Sequence, residues 1–274
     1  MAGSWQDLPP APPRAVVSEG IGAMVKLQFF GTAGYRIVTS SAKTVIIDPY
    51  LDQNPVCPIR AADLDAADVL LITHNAYDHF GDAPAIINRL RPLVVCAKDV
   101  AHSLTSVHGV DPELIRVTIW GLQMEVAGVR ILPLPSAHWS FGLTPAGELL
   151  SGPAVGYLVD AGPGVRIYHP GDSAITSDMR LWGELYRPTV GLMVMALPEL
   201  SLPHMECYRS GETSPYEALL ASQWLGLEHV ITSHYQSPDH PDVQAFLRLA
   251  EATAEAKGYA PRITVLRAGD QIDL

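Results

Sequence analysis

The sequence predicts an α/β layered fold, and three observations carry that expectation. Short apolar runs suited to strands alternate with helix-like segments along most of the chain. A pattern of β-rich runs, tight turns and a closing aspartate occurs twice, in "MVKLQFFGTAGYRIVTSSAKTVIIDPYL" and in "VGYLVDAGPGVRIYHPGD", which argues for two related halves. The chain has 274 residues and 48% hydrophobic content, enough to bury one large core, and a single domain over residues 25–274 is expected.

The elements follow from local cues. Residues 1–24 form an extension whose "SWQDLPPAPPR" stretch withholds backbone donors and favours extended structure, suited to a surface or subunit contact and so to a homo-oligomer. The first β-rich run is punctuated by Gly31, Gly34 and a Ser-Ser-Ala-Lys turn, and an Asp-Pro closes it at Asp48. "ADVLLIT" and "PLVVCA" read as buried strands with the helix "DAPAIINRLR" between them, and "VRILPLP" as a further strand. "VGLMVMAL" and "HVITS" flank a helix whose start is marked at Ser214 by an N-cap, a proline at the first helical position and Glu217. An amphipathic helix stops at Gly258, and "RITVLRAGDQIDL" is expected to form a closing strand pair.

Composition narrows the function. A net charge of -11 without any Lys/Arg run argues against nucleic acid or an anionic membrane as the main partner. Cys57, Cys96 and Cys207 are widely spaced and read as reduced thiols. No apolar run approaches the length of a membrane span and no signal-like segment precedes the domain, so a cytoplasmic protein acting on a small molecule is expected.

The chemistry lies in where histidine and aspartate stand. His74 follows "VLLIT", His138 follows "RILPLPSA", Asp172 follows "VRIYHPG" and His234 follows "HVITS", each expected just beyond the end of an apolar strand. Loops beyond those ends form the ligand crevice of α/β sheets, so the four converge on one rim. Asp78 and His79 follow His74 by four and five residues, where a tight loop entering a helix can turn back on the same point. Imidazole and carboxylate together suit zinc or manganese, and also iron, and such an ion lowers the pKa of bound water to about 7. His102, His108, His229 and His240 follow no strand and read as ordinary polar groups, while His169 reads as a residue that orients a ligand.

In "GTAGYRI", "VIIDPYLDQNP", "LLITHNAYDHFGD", "PSAHWS", "HPGDS" and "ITSHY", taken in that order, the sequence resembles the metallo-β-lactamase superfamily over about residues 25–274. The nearest resemblance is to the branch typified by L-ascorbate-6-phosphate lactonase and N-acyl-phosphatidylethanolamine phospholipase D. It implies a four-layer αββα sandwich of two related halves with the active site on one edge. It implies one metal ion on His74, position 76 and His138, and another on Asp78, His79 and His234, bridged by Asp172. His74 and Asp78 then serve catalysis, Asp78 orienting the attacking hydroxide and carrying a proton to the leaving group.

Ala76 is the departure, because a methyl group cannot coordinate. One explanation is an engineered His→Ala variant made to abolish turnover, favoured because the other ligands are intact. The other is a natural protein that works with one ion, or with water in place of the imidazole. Tyr77, Trp139, His204 and Tyr235, with Phe141 and Tyr208, are candidate pocket residues, and no Arg/Lys cluster stands near these loops. The function expected is metal-dependent hydrolysis of a lactone, ester, cyclic amide or phosphodiester, with a carbonyl centre favoured. The alternatives are a mononuclear iron or manganese redox or lyase enzyme and a non-catalytic binding protein.

Overall fold

The computed structural model describes residues 23–195, 199–200, 208–209 and 211–274. The proline-rich extension up to position 22, His204 and Cys207 lie outside the described residues.

The chain first lays down β1 (Lys26–Gly31), β2 (Gly34–Val38) and β3 (Thr44–Ile47), an antiparallel meander. It continues through β4 (Val69–Ile72), α1 (Tyr77–Phe80), α2 (Ala83–Leu90), β5 (Leu93–Cys96), α3 (Lys98–His102) and β6 (Ile115–Val117), with β3 to β6 parallel. The second sheet repeats the scheme with β7 (Met124–Val126), β8 (Val129–Leu143), β9 (Leu149–Gly162) and β10 (Val165–His169) as antiparallel neighbours. Then come α4 (Asp178–Tyr186), β11 (Val190–Val194), the small ribbon of β12 (Glu199–Leu200) and β13 (Tyr208–Arg209), α5 (Pro215–Leu225), β14 (His229–Ser233), α6 (Pro241–Lys257), β15 (Arg262–Thr264) and β16 (Gln271–Asp273).

Strand order is 16-1-2-3-4-5-6 in one sheet and 15-14-11-10-9-8-7 in the other. The last two strands, expected from the sequence to pair with each other, therefore do not. β15 joins β14 in one sheet and β16 joins β1 in the other. Each completes an edge, which removes more unpaired backbone than an isolated ribbon could.

Three apolar layers make the sandwich. Leu27, Phe29, Tyr35 and Ile37 meet Val155, Tyr157, Val159 and Ile231 between the sheets. Ile86, Ile87, Val100 and Ala101 close the outer face of the first sheet, and Trp182, Ala218, Leu219 and Phe246 that of the second. Strands such as "TVII" and "VLLI" are buried on both faces, which is why they read as continuous rather than alternating apolar runs. Among the described residues no helix is long and apolar enough to cross a membrane.

A candidate metal centre on the sandwich edge

Six predicted ligands come together at one edge, delivered by five local devices, since Asp78 and His79 share one turn. His74 leaves β4 directly. Ala76 then starts α1, its carbonyl accepting from the backbone N–H of His79 at 3.1 Å and Phe80 at 2.7 Å, and this tight turn brings Asp78 and His79 back toward His74. Asp172 follows β10 on a loop whose Gly171 has φ +62, and a β-carbon there would lie 2.9 Å from that of Thr73. Only glycine meets both demands. His234 ends β14 with φ +66, its N–H donating to Thr32 O at 2.6 Å.

His138 is positioned differently from expectation, since it lies inside the 15-residue β8 rather than beyond a strand end. The β8–β9 register shifts between Pro135 and Trp139. There the Ser136 hydroxyl donates to Asp172 O at 2.6 Å and Ala137 N–H to Ser173 Oγ at 3.0 Å. The irregularity thus ties the His138 segment to the Asp172 loop, a use of β-bulges common beside active sites.

The donor atoms fall into adjoining groups. His74, His138 and Asp172 form one and Asp78, His79 and His234 another, with the atoms of each group within 4.8 Å of one another. Asp172 lies between them: Oδ2 is 3.1 Å from His79 Nε2 and 3.9 Å from His74 Nε2, and Oδ1 is 3.4 Å from His234 Nε2. Asp78 Oδ2 stands 3.7 Å from His234 Nε2 and 4.0 Å from His79 Nε2. His74 Nε2, His79 Nε2, His234 Nε2 and Asp172 Oδ1 are buried without a hydrogen-bond partner. Buried polar atoms are normally satisfied, so this convergence of imidazole nitrogen and carboxylate oxygen fits a divalent cation.

Electrostatics point the same way. Burial, and then the neighbouring His79, push the His74 imidazole down to about 3, leaving it neutral as a ligand must be. His79 and His234 are held well above the usual histidine range; burial opposes this, but Asp172 acts on both, joined by Asp48 and Asp78 on His79 and by Glu212 on His234. Asp172 is in turn driven well below the carboxylate range, against its burial, by His234 and His79. The carboxylates of this edge demand positive charge, which protons on these two imidazoles supply when no ion does.

Residues that sequence reasoning did not single out hold the candidate ligands in place. Asp48, fully buried and at φ +45, accepts from Thr73 N at 2.8 Å and from Thr73 Oγ1 at 2.7 Å, and lies 2.8 Å from His79 Nδ1. Since the single hydroxyl proton of Thr73 goes to Asp48, Thr73 Oγ1 accepts from His74 Nδ1 at 3.0 Å, which turns the His74 Nε2 lone pair toward the centre. The cue for Asp48 was present, since it closes the first hairpin as Asp172 follows the second. His169, predicted to orient a ligand, is buried with Nε2 3.1 Å from Ala33 O and 3.4 Å from Asp48 Oδ2. It braces the aspartate rather than a ligand imidazole.

Another brace runs through Ser140, which donates to Asp99 and accepts from the Asn75 backbone N–H at 3.1 Å, while Asn75 Nδ2 donates to Ser103 Oγ at 2.7 Å. It pins the residue between His74 and Ala76 to the strand that carries His138.

The predicted pocket residues divide. Tyr77 is 73% exposed and Trp139 55% exposed, both beside ligands. Tyr235 is a correction: it is 4% exposed, its hydroxyl donates to Leu266 O at 2.7 Å, and its ring packs 5.6 Å from that of Phe29. Although His234 faces the centre, the next side chain enters the core between the sheets. Of the histidines read as ordinary polar groups, His229 bonds Thr264 at 2.8 Å and His240 accepts from Asp242 N–H at the start of α6. Cys57 and Cys96 are free and buried.

A two-sheet sandwich with this donor set on its edge defines the metallo-β-lactamase architecture. The chain belongs to the beta-lactamase superfamily, whose domain matches residues 43–235. It is 33% identical to a UPF0173 metal-dependent hydrolase of Thermococcus onnurineus over 92% of this chain and all of that protein. A similarly named protein of Rubrobacter xylanophilus is 28% identical over 94% of this chain and 99% of the relative. Among solved structures, the metallo hydrolase Igni18 of Ignicoccus hospitalis shares the fold with a TM-score of 0.72 at 24% identity, over 92% of this chain and 98% of the other.

Proposed function

We propose that the chain is a metal-dependent hydrolase of a small molecule with an apolar portion beside a lactone, ester or cyclic amide carbonyl. The observation that carries the reading is the set of four buried, unpartnered donor atoms with the Asp78 carboxylate beside them. Bound divalent zinc, manganese or iron would acidify water and polarise the substrate carbonyl oxygen. His74, His138 and Asp172 would hold one ion and Asp78, His79, His234 and Asp172 another.

The chain's own residues do the rest. Asp78, partly open to solvent, is placed to take the proton of the attacking water and return it to the leaving oxygen or nitrogen. Its carboxyl is held low, against burial, by His79 and His234, so it begins the cycle as a base. Asp48 and Thr73 fix the imidazoles so that no reorganisation accompanies charge development.

The substrate side rests on the outer half of β8 and β9. Trp139, Phe141 and Leu143, at alternate positions of β8, and Leu149 across from Leu143 are all exposed, whereas Ser140 on the opposite face is buried. Trp139 stacks edge-on to Phe141 at 5.7 Å and lies 6.1 Å from the His138 ring, so the apolar strip begins at the ligands. Such a strip suits an acyl or aryl group. The resemblance to the lactonase and phospholipase branch supports a carbonyl or phosphodiester centre without deciding between them.

The test is metal analysis of the purified protein together with turnover on matched lactone, ester, cyclic amide and phosphodiester panels of increasing apolar chain length. Expected is carbonyl hydrolysis whose kcat/KM rises with chain length, and whose dependence on length is lost in Trp139→Ala. A metal-loaded protein that cleaves only phosphodiesters, or none of the panel, overturns the proposal.

A further inference from the structure

We propose that Glu212 is a ligand of the metal centre, a carboxylate that restores to the set the donor missing at Ala76. The inference rests on the metal-centre reading above. Asp172, Glu212 and His234 offer ligand atoms that all lie within 4.8 Å of one another, a further group sharing two residues with the other two. Glu212 Oε2 is 3.0 Å from His234 Nδ1, and both Glu212 and Asp172 are buried. Two carboxylates so placed in a low-dielectric site repel each other unless positive charge stands between them, which a bound cation supplies, or a proton on His234 in its absence. Asp172 Oδ1 and His74 Nε2, both on residues almost wholly buried, point into the same edge without a partner.

The backbone around Glu212 is prepared for the task. Thr213 Oγ1 donates to Val194 O at 2.5 Å, tying the segment to the end of β11. Ser214 caps α5 through a reciprocal capping box with Glu217. Glu212 is thus fixed between a strand end and a helix start, and brings a carboxylate to the centre without a loop rearrangement. Asp172 also belongs to the group with His74 and His138, so the Glu212 group adjoins the one that position 76 leaves short. With Glu212 the donors number four imidazoles and three carboxylates, enough for two ions without position 76. Such a set favours the explanation in which Ala76 belongs to a working centre.

The alternative role for Glu212 is to orient His234 by accepting from Nδ1, and the two roles separate on substitution. Glu212→Gln keeps an amide oxygen that can accept that hydrogen bond but loses the anionic donor. The experiment titrates metal-free wild type, Glu212→Gln and Glu212→Ala with Co²⁺, reading the visible ligand-field spectrum and equilibrium dialysis, with circular dichroism and thermal melting to establish folding. Expected is a loss of more than about a hundredfold in the affinity of at least one ion in both variants, with an altered spectrum, and recovery on adding Ala76→His to Glu212→Gln. Wild-type-like binding, or a smaller loss, in Glu212→Gln overturns the ligand role. Wild type that takes up no Co²⁺ overturns the metal-centre reading itself, whereas unchanged uptake in Glu212→Gln overturns only this inference. If Glu212→Gln fails to fold, Glu212→Asp decides: a shortened ligand shifts the Co²⁺ spectrum, and an unshifted spectrum refutes the proposal.

Discussion

Asp48 and Asp172 occupy corresponding places in the two halves of the molecule, each following the last strand of an antiparallel meander, β3 or β10. Asp48 is surrounded by Thr73 N–H, the Thr73 hydroxyl and His79 Nδ1 and is fully buried. Asp172 has its Oδ1 without a hydrogen-bond partner and faces the Nε2 atoms of His79 and His234. One topological position has yielded a strut and a candidate ligand. The difference lies in the neighbours: the loop after β4 supplies Asp48 with donors, while Asp172 meets imidazoles already oriented from behind.

That contrast can be broken outright. Asp172→Ala removes the carboxylate that lies between the two groups and should lower kcat/KM by about 10³-fold, with metal content falling for both ions in elemental analysis. Asp48→Asn should keep the metal stoichiometry but weaken affinity about 10 to 100-fold in competitive chelator titrations, because His79 loses its charged orienting partner. If Asp48→Asn empties the centre as fully as Asp172→Ala does, the division into strut and ligand is wrong.

A smaller change sharpens the role of the braces. Ser140→Ala leaves the Asn75 N–H and the buried Asp99 carboxylate without their shared partner and should cost about 1–3 kcal/mol in urea unfolding. Far from the centre, His229 tests a different dependence. Burial, then Arg262, holds it at about 4, so the unfolded chain gains a proton before the folded one does. Its contribution to stability is therefore present at neutral pH, falls as pH drops from about 6.5, and levels off below about 4. His229→Gln should remove up to about 1 kcal/mol of that acid sensitivity, read as the difference in unfolding free energy between about pH 7 and about pH 4.5.

Much of this was legible in the chain. Continuous apolar runs identified β3, β4, β5 and β14 because strands covered on both faces leave no polar alternation. The capping box at Ser214 and the glycine after α6 marked helix ends through chemistry confined to a few residues. Where partners are distant the signal fails. β8 read as shorter than it is because its outer half is carried by pairing with β9, and Tyr235 read as a pocket residue because nothing local shows which way it turns.

Residue order by itself determined the alternation of strands and helices, the repeated hairpins, and the histidines and aspartates available to bind metal, since these depend on periodicity, turn chemistry and side-chain type. Tertiary structure alone decided that His138 comes from a bulge in a strand, that Asp48 braces while Asp172 faces the centre, and that Glu212 stands beside His234. Those outcomes depend on charges and hydrogen-bond donors brought together from positions far apart in the chain, and no local pattern encodes which of two equivalent aspartates will find its partners.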